Sequence, residues 1–107
     1  MFTIIHYLDS SGRNYYREWL KSIRDRQAKI AIIRRVARLE SGLLGDRKSL
    51  RAGVHELRID VGAGYRVYYA FAKNTVILLA CGGSKRSQDQ DIELAIRLLQ
   101  DWKNRNG

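Results

Sequence analysis

The sequence predicts an α+β domain: a small, antiparallel-dominated sheet of about four strands, with two N-terminal helices and one C-terminal helix. Three observations carry that prediction. Val54 to Tyr69, VHELRIDVGAGYRVYY, places two β-branched and aromatic arms around the turn-prone Gly62-Ala63-Gly64, which is a β-hairpin pattern. Thr75 to Gly82, TVILLACG, is a nearly continuous apolar run, suited to a strand covered on both faces. Apolar residues at helical spacing occur twice before the hairpin and once after that run.

Taken in order, Phe2 to Leu8 is rich in β-formers and reads as a first strand, expected at the sheet edge. Ser10 or Ser11 can cap a helix reaching about Ile23, with Tyr16, Trp19, Leu20 and Ile23 as its apolar face. Asp25 is placed to cap a second helix from Arg26 to Ser41, and Gly42 to stop it. Ile33, Val36 and Leu39 extend that helix's apolar stripe, while Arg34, Arg35 and Arg38 crowd the opposite side. Residues 42–53 read as a basic loop carrying Arg47, Lys48 and Arg51. The hairpin's second arm runs to about Ala72, Lys73-Asn74 turns the chain, and the apolar strand follows until Gly83 to Arg86 breaks it. Ser87 with Gln90 matches a capping box for a last helix over about Gln88 to Asn104. Its stripe is Ile92, Ala95, Ile96, Leu99 and Trp102. The order is β-α-α-β-β-β-α, and strands that follow one another without crossover helices pair antiparallel.

At 107 residues the chain reads as one domain. No stretch approaches the run of about 18 apolar residues that a membrane span needs, and the start, MFTIIHYLDSS, lacks the pattern of a signal peptide. The lone Cys81 excludes an internal disulfide and a multi-cysteine zinc site, and its apolar surroundings fit a buried thiol in a reducing cytoplasm. His6 and His55 stand at no metal-ligand spacing, so no metal and no cofactor are expected. Both are read as structural histidines. The formal charge of +9 is uneven: residues 11–51 hold 12 basic and 4 acidic residues, against 8 and 6 in residues 52–107. Such a basic surface on a small domain favours a polyanion partner, nucleic acid first.

If the hairpin centres on Gly62, facing residues have numbers summing to 124, so Leu57 faces Val67, Glu56 faces Tyr68 and Arg58 faces Arg66. Two arginines across a ladder repel one another. Either an anion sits between them, or both are solvated with Glu56 and Asp60 as counter-ions. By period-two alternation Tyr68 shares the face of Arg66, while Tyr65, Val67 and Tyr69 face the other way.

The element order, together with Leu57-Arg58, Gly64-Tyr65-Arg66-Val67-Tyr68-Tyr69 and the segment LACGGSKRSQDQD from Leu79 to Asp91, resembles the RelE/ParE toxin superfamily. More narrowly it resembles the HigB-like addiction-module killer branch, over nearly the whole chain. The resemblance implies a small basic cytoplasmic toxin of a type II toxin–antitoxin system, neutralised by a helix-turn-helix (HigA-like) antitoxin. RelE and HigB relatives cleave mRNA on the ribosome. ParE relatives instead inhibit DNA gyrase by binding on much the same fold, so fold alone does not choose.

Ribosome-dependent cleavage is attack of a 2′-OH on the adjacent phosphate with release of a 5′-OH, and it requires no metal. It needs a base, an acid and positive groups for the developing phosphorane charge. The resemblance assigns Arg58 and Arg66 to clamping the scissile phosphate, for which the guanidinium fork suits better than an ammonium. It assigns Lys85 to phosphate binding or proton transfer. Tyr68 is a candidate for base stacking or proton donation, and Gln88 for contact with RNA. Arg34, Arg35, Arg38, Arg47, Lys48 and Arg51 would suit ribosomal RNA backbone. Asp91 reads as a first-turn helix charge. Relatives usually keep a tyrosine or histidine near the C-terminus, but the tail here, DWKNRNG, has neither. Proton transfer then rests on Lys85, Tyr68 or a substrate-bound water.

Overall fold

The computed structural model describes residues 1–106. Five strands, β1 (Thr3–His6), β2 (Arg47–Ser49), β3 (His55–Ile59), β4 (Tyr65–Lys73) and β5 (Val76–Ser84), form one sheet in the order β1-β5-β4-β3-β2. The helices are α1 (Tyr15–Ser22), α2 (Arg26–Glu40) and α3 (Gln88–Asn106), the last preceded by one 3₁₀ turn, Lys85–Ser87. The class is α+β, with a mixed five-stranded sheet in place of the expected four strands. The first strand does lie at the edge, but it pairs parallel to β5, with Thr3 beside Val76. The extra strand, β2, comes from the expected basic loop and pairs with β3, Lys48 opposite Glu56. Its three residues are all exposed, and charged side chains on an edge strand discourage further pairing.

The helix ends follow side-chain chemistry. Asp25 caps α2 by accepting from the Ala28 amide at 3.1 Å. Gly42, at φ +87°, closes α2: its amide donates to the Leu39 carbonyl and that of Leu43 donates to the Arg38 carbonyl, both at 2.9 Å. The cap of α1 is Asn14, not Ser10 or Ser11, because Asp9 draws that segment into a turn first. Its Oδ1 accepts from the amides of Ser11 and Arg13. On α2 Leu39 is buried and Val36 packs against the core as expected, but Ile32 takes the place expected of Ile33, which is exposed. The capping box at Ser87 does not form; its hydroxyl bonds Asp91 Oδ2 and the Ser84 carbonyl.

Each sheet face has its own core. Leu57, Ile59, Val67, Tyr69, Ile77 and Leu79 pack with Tyr16 of α1 and with Ile32 and Leu39 of α2. On the other face Tyr68, Ala70 and Leu78 pack with Ile92, Ala95, Leu98 and Leu99 of α3. The β4–β5 register skips Ala80, so Ala80 and Cys81 both join this second cluster. The far end of α3 is tied to β1 through Tyr7, whose hydroxyl donates to Asp101 at 2.6 Å.

Gly82 and Gly83 do not end β5, which runs through them to Ser84. They admit bulky neighbours on opposite faces: a Cβ at Gly82 would overlap the Trp19 ring, and one at Gly83 would overlap the Asp91 carboxylate. Gly82→Ala should therefore destabilise by about 1–3 kcal/mol, the range for overpacking against a rigid neighbour. Urea denaturation checks this; an unchanged midpoint would show that Trp19 moves freely.

Candidate functional site

At the turn end of the hairpin, Arg58 and Arg66 face each other across β3 and β4, and every predicted pair of the ladder is realised: Leu57 with Val67, Glu56 with Tyr68, Arg58 with Arg66. The chain re-enters this corner after β5. The Lys85 amide donates to the Gly64 carbonyl at 3.1 Å, and a Cβ added at Gly64, at φ +83°, would stand in ordinary contact with the lysine stem. Lys85 is thereby placed beside two arginines far from it in sequence. Together with Asp46, Asp60 and Tyr65 they line an open depression of about 210 Å³. Two arginines and a lysine against two exposed aspartates leave its wall net positive, suited to a phosphate.

Next to the arginines on the same sheet face lies Glu56, fully buried and opposite Tyr68. Its Oε1 lies 2.9 Å from Arg66 Nε and accepts from Gln88 Nε2 at 2.8 Å; its Oε2 is 4.0 Å from Arg58 Nε. The Arg66 contact is one of charge, since the Nε–H does not point at the oxygen. Arg58 is held more loosely, with Asp46 Oδ1 3.9 Å from its Nη1 and over a third of its side chain exposed. Its backbone is fixed instead: the Arg58 amide donates to the Asp46 carbonyl, and Arg35 Nη1 donates to the Arg58 carbonyl at 2.8 Å.

Residues 18–100 match the family described as Phage derived protein Gp49-like (DUF891). The chain belongs to this Gp49-like family. An uncharacterized protein of Haemophilus influenzae (strain ATCC 51907 / DSM 11121 / KW20 / Rd) is 43% identical over 86 residues, covering 80% of this chain and 87% of that protein. The Gp49-like family is related to the RelE/HigB-like toxins of toxin–antitoxin systems, which implies an antitoxin partner for its members. Among the described residues no helix is long and apolar enough to cross a membrane.

Of the residues singled out in sequence, this Gp49-like fold brings Arg58, Arg66 and Lys85 to one depression and sets Gln88 against Glu56. Tyr68 requires correction. It lies on the Arg66 face as expected, but α3 covers it completely, and burial pushes its phenol pKa upward. No base can stack on it, so it is a core residue. Arg35 also changes role, since its guanidinium bonds the carbonyls of Arg58, Leu44 and Asp46. Arg34 and Arg38 are exposed on α2, and Arg47 and Lys48 on β2. Arg51 pairs with Glu93 of α3. These cations lie outside the depression. Gln88 donates its side-chain amide to Glu56 and, half-buried, lines a second open depression with Lys85.

Four residues of the site carry no functional signal that the sequence reading uses. Glu56 and Asp60 stand there only as possible counter-ions; for Glu56, a place between β-formers and opposite an aromatic residue is the available signal. Asp46 falls in the expected loop and Tyr65 in the expected core. They reach the depression because it opens at the strand ends, where face alternation no longer separates one side from the other.

His6 and His55 are structural in position. His55 stacks on Tyr69 with ring centroids 5.4 Å apart, and burial, then Arg47, lowers its pKa. Burial also lowers that of His6, against a hydrogen bond to Asn14. A histidine that resists protonation when folded binds fewer protons than it does unfolded, so stability is lost as pH falls through about 6.5. Melting temperature should decline between pH 7 and pH 5, with a shallower slope in His55→Gln. Parallel slopes for the two proteins would remove His55 as a source of that dependence.

Proposed function

We propose that this chain is the toxin of a type II toxin–antitoxin pair, of the HigB/RelE kind, and that it cleaves mRNA on the ribosome. The observation that carries this reading is the convergence of Arg58, Arg66 and Lys85 on one open, net-positive depression. Arg66 and Arg58 would grip the non-bridging oxygens of the scissile phosphate and stabilise the added charge as the 2′-OH attacks. Lys85, on the rim, would bind the same phosphate or protonate the departing 5′ oxygen. Asp46 and Asp60, which line the depression, would accept the 2′-OH proton. Arg34, Arg38, Arg47 and Lys48 would meet ribosomal RNA backbone, with Arg51 available once it leaves Glu93. A helix-turn-helix antitoxin, encoded beside the toxin, would cover this basic surface.

Induced expression followed by mapping of RNA 5′ ends tests the reading. Translation should stop, and messages should carry new 5′-OH ends that appear only on translating ribosomes. DNA damage and loss of supercoiling with intact messages would replace this reading with inhibition of gyrase. Strong, salt-dependent RNA binding without cleavage would reduce the chain to a binding domain.

A further inference from the structure

Glu56 is the only fully buried charged residue among those described. A carboxylate removed from water is costly unless it is paired. Its partners here are unusual: an arginine of the depression at 2.9 Å, a second arginine of the depression at 4.0 Å, and an amide from the first residue of α3. Both arms of the hairpin and the start of α3, which is distant from them in sequence, therefore meet at one carboxylate beside the candidate site.

The contact engages Arg66 through Nε. That leaves both terminal nitrogens, the fork that pairs with two phosphate oxygens, for a ligand in the depression. It also restricts rotation of a side chain that otherwise carries about 2 kcal/mol of rotamer entropy. Oε2 has no hydrogen-bond partner and lies 4.0 Å from Arg58 Nε, so the same carboxylate also attracts the second guanidinium. We propose that Glu56 is a positioning residue, which holds Arg66, and through it the phosphate clamp, in a reactive orientation. This rests on the proposed cleavage of RNA for its kinetic consequence, but not for the orientation of Arg66.

A plain charge-balancing role predicts a different outcome. Removing one negative charge beside the clamp strengthens attraction for RNA, because the field at the depression becomes more positive. If Glu56 only offset charge, Glu56→Gln would bind and cut at least as well as the wild type. If Glu56 positions Arg66, Glu56→Gln keeps or lowers KM while kcat falls about 100-fold, the scale of losing one preorganised donor.

Two measurements on the intact protein decide this. The ¹⁵N–¹H signal of Arg66 Nε should be resolved and report a rigid side chain by ¹⁵N relaxation in the wild type, and be averaged with mobile arginine side chains in Glu56→Gln. Cleavage on translating ribosomes should show the split of kcat from KM, with Glu56→Asp, which keeps the charge, recovering part of the rate. If the amide variant folds poorly, Glu56→Asp alone carries the test: one methylene shorter, it should lose rate and Arg66 side-chain rigidity together. A retained Arg66 signal, or an unchanged kcat, overturns the proposal. If the wild type cuts no RNA, the functional reading fails, and the Arg66 signal alone decides for or against Glu56.

Discussion

Arg66→Ala should lower ribosome-dependent cleavage by about 10²–10³-fold, the range for losing a preorganised charge donor at a developing anion. Arg66 is expected to matter more than Arg58 because it is better fixed. Its side chain is 15% exposed and within 2.9 Å of Glu56, whereas that of Arg58 is 37% exposed with no charge partner nearer than 3.9 Å. A mobile donor must be ordered during the reaction, and that ordering subtracts from what it contributes. Alanine at this position also strips Glu56 of its nearest cation, so lost activity and lost stability must be separated. Arg66→Lys does so: it leaves a positive charge beside Glu56 but no planar fork, and should fold well while cutting poorly. Single-turnover cleavage of a defined message on purified ribosomes, with melting curves for each variant, is the measurement. A folded Arg66→Ala protein that cuts at the wild-type rate would remove Arg66 from the clamp.

Glu56→Leu should destabilise the fold by about 3 kcal/mol, at the lower end of the cost of breaking a buried ion pair because Arg66 keeps some access to water. The penalty is not the value of the pair but the cost of leaving a largely buried guanidinium without its nearest counter-charge. Removing both charges therefore differs from removing one. The double variant Glu56→Leu with Arg66→Met fills the same space with apolar atoms and should recover half or more of the loss, while remaining inactive. Urea denaturation of the two single variants and the double closes the cycle. Simple additivity would mean that the two groups do not interact at the strength their geometry implies.

These two residues show where sequence reasoning reaches and where it stops. The pairing of Arg58 with Arg66 and of Glu56 with Tyr68 was legible because side chains alternate strictly along a strand, and because Gly62-Ala63-Gly64 admits a turn at one place only. The caps at Asp25 and Gly42 were legible because each depends on the chemistry of one residue acting on its immediate neighbours. Strand β2 was not: Arg47-Lys48-Ser49 has no β pattern of its own and is extended because the open edge of β3 offers its hydrogen bonds. Nor was the parallel pairing of β1, which depends on where two helices return the chain. Ile32 and Ile33 differ by only 100° around α2, and nothing local says which of them meets the sheet.

By itself, then, the amino-acid sequence determined the α+β class, the hairpin register, the basic charge and the identity of the two facing arginines, since each follows from local periodicity or composition. Only the tertiary structure decided which of those residues can act. Arg66 and Tyr68 stand two positions apart on one face of one strand, and alternation treats them alike. Helix α3 covers Tyr68 and leaves Arg66 at the rim, while the turn after β5 carries Lys85 to the same corner. What covers a given point of a sheet is set by the path of chain distant in sequence, and that path is a property of packing rather than of any local pattern.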